Sequence, residues 1–165
     1  MRSLASTVLA ILLGLAALPA LAADDAIFTD FSGQPRSIES YTGDGKWLVV
    51  MVWAHDCGVC NQEAEGFAQF HAEHNDKDAR VLGLTLDGVA NKAKAEAFIA
   101  RHDLPFPNLI GEPEAAMLKY MMLTGEAFRG TPSFLLYGPD GKLRAAQPGA
   151  VPVTSIEAFI AKNSQ

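Results

Sequence analysis

Two rhythms of apolar spacing divide the chain: unbroken β-branched and aromatic runs, and stretches in which apolar side chains return every three or four positions. "WLVVMVW", Trp47 to Trp53, has no polar position at all, which predicts a strand at the centre of a sheet covered on both faces. "VLGLTLD", Val81 to Asp87, predicts a second buried strand. From Cys57 to about Asn75 the rhythm turns helical, with Phe67 and Phe70 three apart and Glu63, Glu65, Gln69 and Glu73 between the apolar positions. A second helix is expected over Asn91 to His102, through Ala93, Ala97, Phe98 and Ala100. Pro105 and Pro107 then force an extended segment ending near Gly111. Pro113 opens a further helix through Met117, Leu118 and Met121.

Ser133 to Tyr137 reads as a third central strand, turned by Gly138-Pro139-Asp140-Gly141 into another around Leu143 to Ala146. Val153 to Ala161 closes the domain as a helix. Ahead of all this, Ala26 to Phe31 alternates weakly. It predicts a short edge strand, followed by a loop from Ser32-Gly33-Gln34-Pro35 through Gly43-Asp44-Gly45. This order of elements predicts an α/β domain, a mixed sheet with helices on both faces.

The first residues follow another logic. Arg2 supplies positive charge, Leu4 to Leu18 is almost continuously apolar, and Ala20-Leu21-Ala22 offers the small residues of a cleavage site. Residues 1–22 are therefore expected to be a signal peptide and 23–165 the domain, placed in the periplasm. An uncleaved membrane anchor is the competing reading of the same stretch. With 49% hydrophobic and 19% charged residues the composition is globular, and 13 basic against 19 acidic residues give a net charge of -6. No Lys/Arg cluster exists to track a phosphate backbone, which argues against nucleic acid as a partner.

Candidate chemistry centres on "WAHDCGVCNQE", which holds both cysteines, Cys57 and Cys60, two residues apart. As a clasp the pair closes too small a loop to stabilise the fold much. As half of a zinc site it needs two more ligands, for which His71 and His74 are the nearest candidates. As a redox switch its placement is favourable, because Cys57 falls where a strand ends and a helix begins. Unpaired N–H groups and the helix dipole there stabilise a thiolate. Cys60, one turn later, suits a resolving thiol.

Cys-x-x-Cys after an apolar strand ending in Trp53-Ala54, joined to "GTPSFLLYGPDGK" further on, resembles the thioredoxin superfamily over roughly Ile27 to Ala161. The export signal, the inserted helix and extended segment from Val89 to Ile110, and Glu63 three residues after Cys60 are similar to its TlpA/ResA-like branch. The resemblance implies a thioredoxin-like fold and extracytoplasmic thiol-disulfide exchange. It implies a cis proline at Thr131-Pro132 against the cysteines, with Trp53, Thr131 and Pro132 on the substrate side and Glu63 as the acid that moves protons. Met51 stands where many cytoplasmic thioredoxins place a buried aspartate.

Two departures from the pattern stand out: Asp56, where relatives carry Trp, disfavours the Cys57 thiolate, and "MMLTGEAFRG" lengthens the link between Tyr120 and Thr131. His55, if protonated, pushes Cys57 the other way. The expected partners are protein disulfides and a membrane-bound electron donor, with no metal or cofactor and a monomeric chain. A copper-delivery protein using Cys57, Cys60, His55 and the soft sulfurs of Met117, Met121 and Met122 is the alternative. A peroxidase lacks support, since His55 and Asp56 fill the place of the activating threonine.

Overall fold

The computed structural model describes residues 26–164, so the predicted signal peptide at 1–22 lies outside the described residues. Seven strands form one sheet in the order β2-β1-β5-β4-β3-β6-β7. They are β1 (Phe28–Asp30), β2 (Pro35–Arg36), β3 (Trp47–Trp53), β4 (Ala79–Thr85), β5 (Asn108–Ile110), β6 (Ser133–Tyr137) and β7 (Leu143–Pro148). The helices are α1 (Gly58–His74), α2 (Lys92–Arg101), α3 (Pro113–Thr124) and α4 (Val153–Asn163). β3, β4 and β5 run parallel, while β1, β2, β6 and β7 add antiparallel pairings at the two sides. No helix among the described residues is long and apolar enough to cross a membrane.

Strand periodicity sorts the core into two layers. Trp47, Val49, Met51 and Trp53 face α1, α2 and α4, joining Phe67, Phe70, Phe98, Ile156 and Ile160. Leu48, Val50 and Val52 face the other way, against Ala116 and Tyr120 of α3 and against Phe28 and Ile38. β3 is thus buried on both faces, as its unbroken apolar run requires.

The predicted insertion is present as a 3-10 turn (Val89–Asn91), α2 and β5. Its strand does more than extend the chain: β5 pairs with β4 on one side and with β1 on the other, so the insertion ties the N-terminal edge to the sheet. The sequence predicts one loop from Ser32 to Gly45, whereas Pro35 and Arg36 pair with Thr29 and Phe28. Asp30 closes that hairpin by accepting hydrogen bonds from the N–H groups of Ser32 and Gln34, and a two-residue strand leaves no periodicity to read.

Candidate active site

β3 delivers the chain to the site and α1 carries it away. After Trp53 the backbone turns tightly, the Cys57 N–H donating to the Ala54 carbonyl at 3.1 Å. Cys57 is the N-cap of α1, extended in conformation, and its Sγ accepts the Cys60 N–H at 3.1 Å. The two cysteines are joined in a disulfide with their Cα atoms 5.2 Å apart. Cys57 is half-buried and Cys60 has no exposed surface, so an incoming reactant meets Cys57 first. The Cys60 N–H and the positive end of the α1 dipole thus face the Cys57 sulfur, which favours its negative form once the bond is opened.

Asn61 fastens this turn. Its amide Nδ2 donates to the carbonyls of both His55 (3.3 Å) and Cys57 (2.9 Å). Its Oδ1 accepts from Arg101 and His102 of α2, each at 3.0 Å. One side chain therefore couples the cysteine turn to the inserted helix.

Glu63 lies one helical turn beyond Cys60. Its Oε1 accepts the Val151 N–H at 3.0 Å, while its Oε2 is buried with no partner. Loss of water pushes its carboxyl above the usual carboxylate range, opposed only by the Val151 hydrogen bond.

On the far side, β6 runs antiparallel to β3 and sets Ser133 beside Val52, which brings the start of β6 to the end of β3. The Thr131–Pro132 peptide is cis, and the Pro132 carbonyl accepts the Gly149 N–H at 2.9 Å. Arg129, Gly130, Thr131, Pro132, Pro148 and Gly149 line an open cavity there.

The sequence profile of the AhpC/TSA family matches residues 18–146. The chain belongs to the AhpC/TSA family. It is similar to the thiol-disulfide oxidoreductase ResA of Oceanobacillus iheyensis, 23% identical over 117 residues that cover 71% of this chain and 57% of ResA. It is also similar to alkyl hydroperoxide reductase C of Mycobacterium tuberculosis, 35% identical over 78 residues covering 44% of this chain and 38% of that protein. The chain thus spans little more than half, or less, of the curated relatives it matches. Among solved structures, a secreted disulfide oxidoreductase of Mycobacterium tuberculosis homologous to Escherichia coli DsbE superposes with a TM-score of 0.63 at 24% identity. The match covers 81% of this chain and 92% of that one, which shows the thioredoxin-like fold.

Within this AhpC/TSA-family chain, Cys57, Cys60, Glu63, Thr131 and Pro132 come to the same end of the sheet. Trp53 does not reach its surface. It has no exposed area, stacks on Phe98 with ring centroids 4.3 Å apart, and donates its indole N–H to Asn108 at 3.1 Å. The expectation that Trp53 meets substrate is corrected: it is a floor for the cysteine turn.

The soft-sulfur set also separates. Met121 and Met122 are exposed on α3, across the sheet from the layer that holds Cys60, so they cannot share an ion with the cysteines. His71 and His74 sit at the far end of α1, about 20 Å along the helix from the cysteines. His71 is buried and accepts the Val81 N–H, and His74 bonds Asp78 at 2.8 Å.

The sequence marks Asp87 only as the end of a strand, and its partner His55 comes from elsewhere in the chain. The Asp87 side chain is 3% exposed and accepts from Thr85 Oγ1 at 2.5 Å, from the His55 N–H at 3.1 and 3.2 Å, and from His55 Nδ1 at 2.5 Å. Among the described residues, metal-type donors gather three at a time at His55, Asp56 and Asp87, and at Glu73, His74 and Glu157. In the first group the Asp87 oxygens are already committed to hydrogen bonds, and the second lies at the opposite end of α1 from the cysteines.

Proposed function

We propose that this protein is an extracytoplasmic thiol-disulfide oxidoreductase that works as a reductase of protein disulfides. The observation that carries the reading is the Cys57–Cys60 pair at the head of α1, its first sulfur accessible and its second buried beneath it. The similarity to ResA supports the same chemistry.

The cycle starts with both thiols reduced. The Cys57 thiolate attacks one sulfur of a partner disulfide, forming a mixed disulfide and releasing the other partner sulfur as a thiolate, which takes up a proton. Cys60 then loses its proton and attacks Cys57 Sγ. The Cys57–Cys60 bond forms, the second partner thiol leaves, and two electrons have passed to the partner. Glu63, one turn from Cys60 and with an unpaired Oε2, is placed to accept the Cys60 proton. The cavity beside Thr131 and Pro132 offers backbone for an extended partner segment.

Cleavage after Ala22 would release residues 23–165 into the periplasm, and a membrane-bound donor would return the pair to its dithiol form. The exposed Asp56 beside Cys57 disfavours the thiolate and so favours the reductant direction. The test is a Cys60→Ser variant exposed to periplasmic extract: Cys57 should accumulate mixed disulfides, identifiable by mass spectrometry. Equilibration of the wild type with glutathione should give a potential nearer to about -270 mV than to about -120 mV. A value at the oxidising end, or no trapped adduct, overturns the reading.

The match to alkyl hydroperoxide reductase C favours one second reading, reduction of peroxide by Cys57. Rapid loss of hydrogen peroxide at stoichiometric reduced protein would select it, and a slow rate would remove it.

A further inference from the structure

We propose that His55 carries the proton of the attacking thiol and that Asp87 positions it, so that Cys57, His55 and Asp87 act as one unit. The inference rests on the thiol-disulfide reading above and adds to it the residue that serves Cys57, as Glu63 serves Cys60.

Sheet register brings the pair together. β3 and β4 are parallel with Trp53 opposite Thr85, and two residues further along each chain stand His55 and Asp87. The Asp87 carboxylate can only accept, so its 2.5 Å contact with Nδ1 places a proton on that nitrogen and leaves Nε2 as the free lone pair. Nε2 has no hydrogen-bond partner among the described residues. The main-chain N–H of His55 also donates to Asp87, so both the backbone and the ring of this residue are held by one buried carboxylate.

The same turn is held from the other side, since Asn61 Nδ2 binds the carbonyls of both His55 and Cys57. Their Cα atoms are at most about 7 Å apart, because two residues of chain span no more. His55 and Cys57 thus share one short turn held by Asn61, and the proposal requires Nε2 to meet the reduced Cys57 sulfur directly or through one water. The charged groups gathered with the ring are Asp87 and Asp56; Arg101 of α2 and the following His102 bind the Asn61 side chain that holds the same turn.

The step balances without any added reagent. Nε2 takes the proton of Cys57 S–H, giving a thiolate and an imidazolium whose charge Asp87 offsets. The thiolate attacks the partner disulfide, and the imidazolium returns its proton to the partner thiolate that leaves.

The test is alkylation of Cys57 by iodoacetamide as a function of pH, in reduced full-length protein carrying Cys60→Ser, with thiolate absorbance at 240 nm as a parallel reading. His55→Gln should move the midpoint to higher pH by about one unit, because the thiolate loses its cationic partner. Asp87→Asn should move it in the same direction, and the double variant should move it no further than either alone. If Asp87 were only a nearby anion, its removal would instead lower the midpoint, since a like charge disfavours the thiolate. A lowered midpoint for Asp87→Asn, or an unchanged one for His55→Gln, overturns the proposal. Should Asp87→Asn not fold, the His55→Gln profile alone decides. Alkylation needs no protein partner, so failure to reduce any disulfide would leave this result readable, and normal disulfide reduction with unshifted profiles would remove this inference alone.

Discussion

A carboxyl group deprived of water keeps its proton to higher pH, and at Glu63 that property is bought with stability. Its folded-state pKa is raised above the ordinary value of 4.5 by burial. The stability it contributes is therefore fully present below pH 4.5 and is lost as pH rises through the folded value. Glu63→Gln, which cannot ionise, should unfold at higher denaturant than wild type at pH 7, and the two should converge at pH 4. The same variant should slow release of the partner from the mixed disulfide by about a hundredfold, the usual contribution of a placed acid-base group, as read by stopped-flow. A stable variant with unchanged release would leave Glu63 as a residue of the helix surface. His71 has the opposite sign: burial first, and then the Arg80 charge, lower its pKa below 6.5. Its neutral ring accepts the Val81 N–H at 3.0 Å, so this stabilisation is present above pH 6.5 and lost as pH falls through the depressed value. His71→Leu should cost about 1–3 kcal/mol in urea unfolding at pH 7.5, because it orphans a buried donor, and should flatten the decline of stability below pH 6.5.

Among the elements, β4 shows how a strand can be legible in extent and illegible in purpose. Its apolar run predicts Val81 to Asp87, against Ala79–Thr85 in the structure, yet nothing in it announces why Gly83 is a glycine. Gly83 lies opposite Met51 in the parallel register, and a Cβ there would stand 1.8 Å from Asn108 Oδ1 and 2.8 Å from Trp53 Nε1. The missing side chain makes room for the hydrogen bond that anchors Trp53 beneath the cysteine turn. Gly83→Ala should therefore destabilise the protein by about 1–3 kcal/mol through overpacking, and should change the near-ultraviolet signal of the buried indole. A variant with wild-type stability would mean that Asn108 can turn away at no cost. The pairing of His55 with Asp87 was hidden for the same reason. The two are 32 residues apart in sequence and become neighbours only when the strand ends are laid side by side. By contrast, the cysteine pair is legible in its own two-residue spacing, whereas Glu63 and the Thr131-Pro132 loop are expected from the resemblance to thioredoxin-like relatives. Strand parity could also have withdrawn Trp53 from the substrate surface, since it shares a face with Trp47, Val49 and Met51 in the core.

At the scale of the whole molecule, the sheet is a shared wall between two apolar layers, and this governs how the fold comes apart. β3 gives alternate residues to each layer, and β4 and β6 do the same, so α3 cannot leave without uncovering Leu48, Val50, Leu82 and Leu135. The same strands carry both ends of the site, the cysteine turn after β3 and the Thr131-Pro132 loop before β6. The insertion belongs to the same unit, because β5 bonds to β4 and to β1, while Arg101 and His102 of α2 hold Asn61. No layer can therefore unfold alone at low cost, and the described region should melt as one two-state transition. Far-ultraviolet circular dichroism, which reports the helices, should give the same midpoint as fluorescence of Trp47 and Trp53, which reports the layer of α1, α2 and α4. A fluorescence midpoint well separated from the helical one would show that the layers are independent. It would also mean that the geometry linking the two cysteines to the Thr131-Pro132 loop is lost before the fold is.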